Sequence, residues 1–323
     1  MIPTRVLRHA RSGFGLSRGH VRVLSTRFGK VCLAHRAVGD EPTQIRLVQR
    51  SADTRTRLDA EMRWLTYLAH EHGLSVPVPR QWRDGRLVSP ALADGVGGSW
   101  HAVACSWVTG RHLNHGLRAR DFAMAGGLLA HLHRANANAP AGIADARPIW
   151  WIPRLFELAT TLRDVVADAI PRPAAVSAAL ADGLRRSSAA LESAYASLPH
   201  GTDYAGLIHT DAHWQNLRFS RRRVGLVDFE DFATGRFMLD VACLWGKVES
   251  RRGSARMLDA ILDGYDRVSA LPAAHRRDLR VMLAFRRFDY AGWVLSWPRP
   301  DSEPWGVEFL AGTPDYIERL LAI

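Results

Sequence analysis

Leu207-Ile208-His209-Thr210-Asp211-Ala212-His213-Trp214-Gln215-Asn216-Leu217, followed six residues later by Val224-Gly225-Leu226-Val227-Asp228-Phe229, decides the reading of this chain. Two apolar runs of strand composition bracket a loop that carries a carboxylate, two imidazoles and an amide. Asn216 comes five residues after Asp211, and the second apolar run delivers another carboxylate, Asp228, at its end. A strand pairing back toward the loop would bring Asp228 to it. Carboxylate, amide and carboxylate then converge.

Phosphoryl transfer to a hydroxyl makes this demand. One carboxylate must stand near the attacking oxygen, and oxygen donors must face Mg²⁺, a hard cation that bridges the phosphates of ATP. Protein kinases carry the same parts in the same order, His-x-Asp, then Asn, then a strand ending in Asp. Asp211 is therefore the candidate catalytic base, and Asn216 and Asp228 are the candidate Mg²⁺ ligands. Three fixed residues recur by chance about once in 8,000 starts. The added requirement for a Val-Asp-Phe strand at the right distance, behind a hairpin sheet and a helix, makes coincidence a poor explanation.

Working outward, Val21–Thr26, Val31–Val38 and Thr43–Arg50 read as successive strands, with Gly39-Asp40-Glu41-Pro42 as the second turn. Asp53 to His72 reads as an amphipathic helix, with Leu58, Met62, Leu65 and Leu68 at helical spacing and Gly73 as its stop. Ser75–Pro79 is extended, and Arg86–Val88 and His101–Val108 resume strand composition up to Gly110. Beyond a boundary within Val108–Asn114 helices dominate: Asp121–Ala135, Pro153–Ala167, Ala174–Ala196, Phe237–Val248, Ala255–Arg267, His275–Ser296 and Pro314–Ala322. The expected fold class is α+β and two-lobed, like the protein kinases. Residues 1–109 make a small antiparallel β-sheet lobe with one helix that binds ATP, and 110–323 make a larger, mainly helical lobe for catalysis and acceptor binding.

The loop His209-Thr210-Asp211-Ala212-His213-Trp214-Gln215-Asn216 with Val227-Asp228-Phe229 resembles the aminoglycoside phosphotransferase and choline kinase-like superfamily. The usual signature there is His-Gly-Asp-x-His-x-x-Asn before Ile-Asp-Phe, and His213 separates it from ordinary protein kinases. The resemblance runs through Gly127-Leu128-Leu129-Ala130-His131-Leu132-His133 and Leu239-Asp240-Val241-Ala242, nearly the length of the chain. It implies in-line transfer of the γ-phosphoryl group of Mg-ATP to a hydroxyl of a small molecule, an antibiotic, natural product or metabolite.

The resemblance also implies roles residue by residue. Ile45-Arg46-Leu47 looks like the third strand, where Arg46 replaces the usual Lys, and Glu61 stands 15 residues later on the first helix, a spacing that allows an ion pair. Arg46 keeps the charge, but its planar fork is not equivalent to an ammonium. Lys30 is a second candidate for the phosphates. A single glycine, Gly29, stands where protein kinases have several, so Ser25 and Thr26 either cover the phosphates or are plain turn residues. Backbone groups of Cys105–Val108, including Ser106 and Val108, face adenine. His209 packs beneath the loop and Asp240 ties its backbone down. His213 and Trp214 either border the acceptor pocket or serve as scaffold. Glu230 and Asp231 give either further oxygens near the metal or a solvated turn. Trp150, Trp151, Trp293, Trp297 and Trp305 are candidates for a pocket wall, though core packing explains most. The acidic final stretch, with Asp301, Glu303, Glu308, Asp315 and Glu318, is a candidate for holding a cationic acceptor.

Composition excludes much else. Apolar residues make up 47% and charged ones 23% of the 323 residues, a globular balance, and no apolar run approaches a membrane span. Of the 43 basic residues 41 are arginines, spread along the chain, so the net charge of +11 reflects composition rather than a nucleic-acid track. The first 39 residues lack an acid but also lack the apolar stretch of a secretory signal, and strand-like alternation begins by Val21. Cys32, Cys105 and Cys243 have no metal or redox spacing. The expected location is the cytoplasm, with no membrane or nucleic-acid partner. A protein Ser/Thr kinase is disfavoured because Asp240 follows Asp228 by only 12 residues. A nucleotide-binding pseudokinase or regulatory protein is disfavoured by the intact Asp211, Asn216 and Asp228.

Overall fold

The computed structural model describes residues 3–27, 29–112, 116–147, 177–221, 223–295 and 304–322. The helix expected at Pro153–Ala167, together with Trp150, Trp151, Trp297, Asp301 and Glu303, lies outside the described residues. The chain divides into two compact units. One comprises Met1–Leu117, Arg134–Pro148 and Gln215–Phe232; the other comprises Arg118–His133, Ile149–Trp214 and Ala233–Ile323.

The first unit is built on a five-stranded sheet in the order β1-β2-β3-β5-β4, antiparallel throughout. Its strands are β1 (His20–Arg27), β2 (Lys30–Arg36), β3 (Thr43–Gln49), β4 (Leu92–Ala93) and β5 (Ser99–Ser106). Alternation along the strands assigns the two faces. Val31, Leu33, Ile45, Leu47, Ala102 and Ala104 form one core with Val6 and Ala10 of α1 (Thr4–Gly13) and with Phe14, Leu16 and Trp82. The intervening residues Cys32, Arg46 and Val103 stand level with one another across three strands. That face meets α2 (Thr54–His70), where the Cys105 thiol lies 3.7 Å from the Met62 sulfur.

The helix α1 adds to the expected single helix of this lobe. Its residues Val6, Ala10 and Gly13 are buried among arginines, a stripe too narrow to stand out by composition. It exists because the outer sheet face needs a cover, and Gly13 lets it approach: a Cβ there would fall inside the Trp82 indole. Trp82 in turn meets Phe14 edge-on at 4.9 Å. Arg86–Val88, expected as a strand, is instead a turn stem: the Trp82 N–H donates to Arg86 O at 2.7 Å across Gly85, whose φ is +84°. A hairpin of β7 (Leu217–Phe219) and β8 (Val224–Leu226) completes this unit.

The second unit is mainly helical: α3 (Ala119–Arg134), α4 (Ala178–Ala196), α5 (Phe237–Gly246), α6 (Ser254–Asp266), α7 (Ala273–Leu295), α8 (Pro304–Ala311) and α9 (Thr313–Leu321). The Ser177 hydroxyl caps α4 by accepting the Leu180 N–H at 3.1 Å. A short ladder pairs β6 (Ala205–Ile208) with β9 (Ala233–Arg236). The apolar helix α5 is buried against α7 and β6, and α9 packs on α7 and α4. The backbones of α3 and α6 approach so closely that a Cβ at Gly126 or Gly264 would collide with the opposite helix. Among the described residues no helix is long and apolar enough to cross a membrane.

Candidate active site

The loop after β6 is held from beneath by one buried carboxylate. Asp240, in the first turn of α5, accepts the His209 N–H at 2.8 Å and the Thr210 N–H at 2.7 Å, one on each oxygen. Two successive backbone donors aimed at one acid force a sharp bend, and Thr210 takes φ of +72° to make it. That left-handed conformation suits glycine and costs a β-branched residue about 1–2 kcal/mol. His133 of α3 backs Asp240 through Nε2 at 3.1 Å, while its Nδ1 meets the Tyr265 hydroxyl at 2.8 Å. The expected tie between Asp240 and the loop backbone is therefore present, and the His131-Leu132-His133 motif supplies its support.

The bend turns Asp211 outward, and two cations meet it. His213 Nε2 lies 3.2 Å from Asp211 Oδ2, and Arg286 of α7 donates to Oδ1 at 3.0 Å. Arg286 is held in turn by Asp289 at 2.8 Å. Burial by itself would raise the Asp211 carboxyl, but the His213 hydrogen bond and the His213 and Arg286 charges outweigh it and hold the group below the usual carboxylate range. The group is an aligned anion at neutral pH. No motif announces Arg286, which lies 75 residues downstream and becomes a partner only through the packing of α7.

Asn216 and Asp228 come from the ends of the hairpin in the first unit. Leu217 pairs with Leu226, and one step outward the Val227 N–H donates to the Asn216 carbonyl at 3.0 Å, so Asn216 stands opposite Val227 and beside Asp228. Asp228 also has a left-handed backbone, with φ of +71°, and an exposed side chain. An amide oxygen and a carboxylate at the open end of one hairpin are hard donors of the kind Mg²⁺ takes, so these residues fit the ion. Arg218 lies near enough for the Asp228 charge to oppose the lowering that burial imposes on its guanidinium.

In the same unit, Arg46 and Glu61 form the ion pair their spacing allows, at 2.5 Å, both nearly buried. Burial opposes the Arg46 charge, but Glu61 and Glu230 more than compensate and keep it firmly protonated. Glu230 was legible only as an acid following Asp228. The structure gives it two partners, Lys30 at 3.1 Å and Arg46 at 3.6 Å. Arg147 clamps this turn by donating to the carbonyls of Glu230 and Phe232, each at 2.5 Å. Arg46, Glu61, Asp228, Cys32 and Cys105 line one cavity of about 400 Å³, and Lys30, Arg46, Glu61, Arg147 and Glu230 line a wider cleft of about 930 Å³. Burial pushes the Cys105 thiol up to about 12, so it is an inert wall.

The remaining candidates are placed as follows. Ser25 and Thr26 are exposed on β1 and line neither space. Ser106 locks the chain, its hydroxyl accepting the Val78 N–H at 3.0 Å. Val108 is buried against the hairpin, where a Cβ on Gly225 would sit 2.6 Å from its methyl. In the second unit a cavity of about 430 Å³, including its open mouth, is lined by Lys247, Glu249, Arg286, Arg287, Tyr290 and Phe309, with Cys243 at its base. The Cys243 thiol donates to the Thr210 carbonyl at 3.0 Å, so this cavity abuts the Asp211 loop. Neither His213 nor Trp214 lines it; the Trp214 ring lies 5.7 Å from the Arg251 guanidinium. Glu308, Asp315 and Glu318 are exposed and do not line it either.

A sheet-bearing unit with a strand-to-helix ion pair and a hairpin acid, beside a helical unit with a lashed His-x-Asp loop, defines the kinase-like phosphotransferases. The profile of the phosphotransferase enzyme family matches residues 35–279, most of the chain, and the chain belongs to that family. It is a phosphotransferase. Among solved structures, a microcompartment-associated aminopropanol kinase is 21% identical, covering 99% of this chain and 98% of its own, with a TM-score of 0.80. An amicoumacin kinase solved with AMP-PNP, Ca²⁺ and its ligand Ami is 18% identical, covering 93% and 88%, with a TM-score of 0.76. A spectinomycin phosphotransferase solved with ADP and spectinomycin is 12% identical over 99% and 98%, with a TM-score of 0.69. Likenesses at such identities are likenesses of fold. No curated protein sequence matches the chain.

Proposed function

We propose that this protein transfers the γ-phosphoryl group of Mg-ATP to a hydroxyl of a small molecule, with Asp211 as the base. The observation that carries the proposal is the Asp211 carboxylate, kept ionised and oriented by His213 and Arg286 on a loop that Asp240 bends outward. In a loose phosphoryl transition state little proton transfer is needed early, so an oriented anion of low basicity is adequate: it aligns the hydroxyl and takes its proton late. Asn216 and Asp228 would hold Mg²⁺, which when bound neutralises charge on the phosphates. Residues 1–109, which contain all five strands of the sheet, form the ATP-binding lobe in this reading, and 110–323 the catalytic and acceptor-binding lobe. Arg46, set by Glu61, and Lys30 are the cations for the phosphates, with Ser25 and Thr26 nearest the β1–β2 turn. The backbone at Ser106 and Val108 faces adenine, and His213 and Trp214 flank the acceptor. A cytoplasmic location accords with an ATP donor and three unpaired thiols.

The test is ADP formation over a panel of hydroxyl compounds. Asp211→Asn is expected to lower turnover about 10²- to 10⁴-fold while nucleotide binding survives, and Asp228→Asn to abolish metal-dependent nucleotide binding. Full turnover by the Asp211 variant would remove the assignment.

A further inference from the structure

The cavity against the Asp211 loop has a charge pattern of its own. Three cations line it, and two have carboxylate partners. Arg286 is met by Asp211 at 3.0 Å and Asp289 at 2.8 Å. Arg287 lies 3.5 Å from Glu249, donates to the Phe309 carbonyl at 2.9 Å and to the Thr313 hydroxyl at 3.0 Å, and stacks on the Phe309 ring. Glu249 is further engaged, accepting from the Tyr316 hydroxyl at 2.6 Å. The third cation is different. Lys247, the C-cap of α5, is half-buried, and its ammonium meets only the Tyr290 hydroxyl at 2.7 Å and the face of that ring at 4.0 Å. No described carboxylate lies within ion-pair reach of it. A half-buried ammonium whose contacts are neutral is a site for an incoming anion.

The rim adds a second property. Tyr290 is flanked by Trp293 at 4.9 Å and Trp305 at 6.5 Å, and these two indoles are 45% and 42% exposed. Exposed aromatic faces around one mouth suit a flat or apolar body. We infer that the acceptor carries an oxyanion, a carboxylate or phosphate ester, which Lys247 binds, together with a ring or apolar portion held by Tyr290 and the two indoles. This rests on the phosphotransferase reading above and narrows it. A purely cationic acceptor would place its charge against Lys247 and Arg286, and the carboxylates that could answer it are already bonded.

Calorimetry on the full chain with a non-hydrolysable ATP analogue, using matched alcohols, tests the inference without requiring turnover. The probes are phenyllactate, phenylpropanol and phenylpropanolamine, which are anionic, neutral and cationic, with lactate lacking the ring and phenyl phosphate as the phosphate arm. The expected order is phenyllactate above phenylpropanol above phenylpropanolamine, with lactate weaker than phenyllactate. Preference for phenyl phosphate over phenyllactate would identify the phosphate ester as the anion. Lys247→Gln is expected to weaken the anions on the order of tenfold to a hundredfold and the neutral alcohol little, and Lys247→Arg to restore most of the loss. Unchanged thermal melting of both variants separates binding from folding. Tightest binding of the amine, no binding of either anion, or anion binding indifferent to Lys247→Gln would each overturn the inference. Failure of the underlying reading has a separate signature: no Mg-nucleotide binding, or ADP formation that does not depend on Asp211.

Discussion

Asp240 and Asp211 serve the same loop from opposite sides. Asp240 is fully buried and takes two backbone N–H donors and an imidazole, all from fixed elements. The Asp211 side chain is 38% exposed, and its partners, His213 and Arg286, are side chains that leave one edge open. An acid completely enclosed in donors shapes backbone and is lost to chemistry. An acid with partial access keeps its lone pairs available while its partners fix its direction. The loop needs both, because a base is only as well placed as the bend that carries it.

Removing the enclosed acid should have the largest effect. Asp240→Ala leaves two buried backbone donors and His133 without their acceptor, and it is expected to cost about 3–5 kcal/mol of unfolding free energy in urea denaturation. A loss below about 1 kcal/mol would erase the distinction between the two acids, since exposed pairs are worth no more than that. His133→Ala should follow the same direction at about 2 kcal/mol, because it removes one support of Asp240 and a buried ring stacked on Phe237.

Arg286→Met tests the accessible acid. Its loss removes a charge that lowers the Asp211 pKa, so the carboxyl rises and protonates sooner as pH falls. The acid limb of the kcat profile, measured at saturating acceptor, is expected to move to higher pH. By the same sign, the stability Asp211 contributes is present above its unfolded pKa and disappears as pH falls through its lowered folded value. An acid limb that stays in place would show that Arg286 does not tune this group.

The smallest effect should be a gain. Thr210 occupies the position where similar loops carry glycine, in a left-handed conformation and fully buried. Thr210→Gly relieves that backbone but gives up packing, and a net stabilisation of up to ~1 kcal/mol by thermal denaturation is expected. Destabilisation would mean that side-chain packing, not backbone strain, dominates at this bend.

Much of this was written in local order. Alternation made the first three strands legible, and helical spacing of Leu58, Met62, Leu65 and Leu68 made α2 legible, because each element buries one face. The interval from Arg46 to Glu61 allowed their ion pair before any coordinates were considered. The helix α1 was not legible, since a stripe of Val6, Ala10 and Gly13 among arginines gains meaning only when a sheet face needs covering. The same holds for α8, eight residues without a clear periodic stripe.

The sequence by itself determined the chemistry: His209 to Asn216 and Asp228 name a base and two metal donors, because residue type and short spacing are local properties. Tertiary structure alone decided what tunes them. Arg286 reaches Asp211 across 75 residues, Glu230 answers Lys30 and Arg46, and Lys247 reaches the cavity mouth without a carboxylate. Charge and access depend on what packing brings within a few ångströms, and no spacing in the chain encodes that distance.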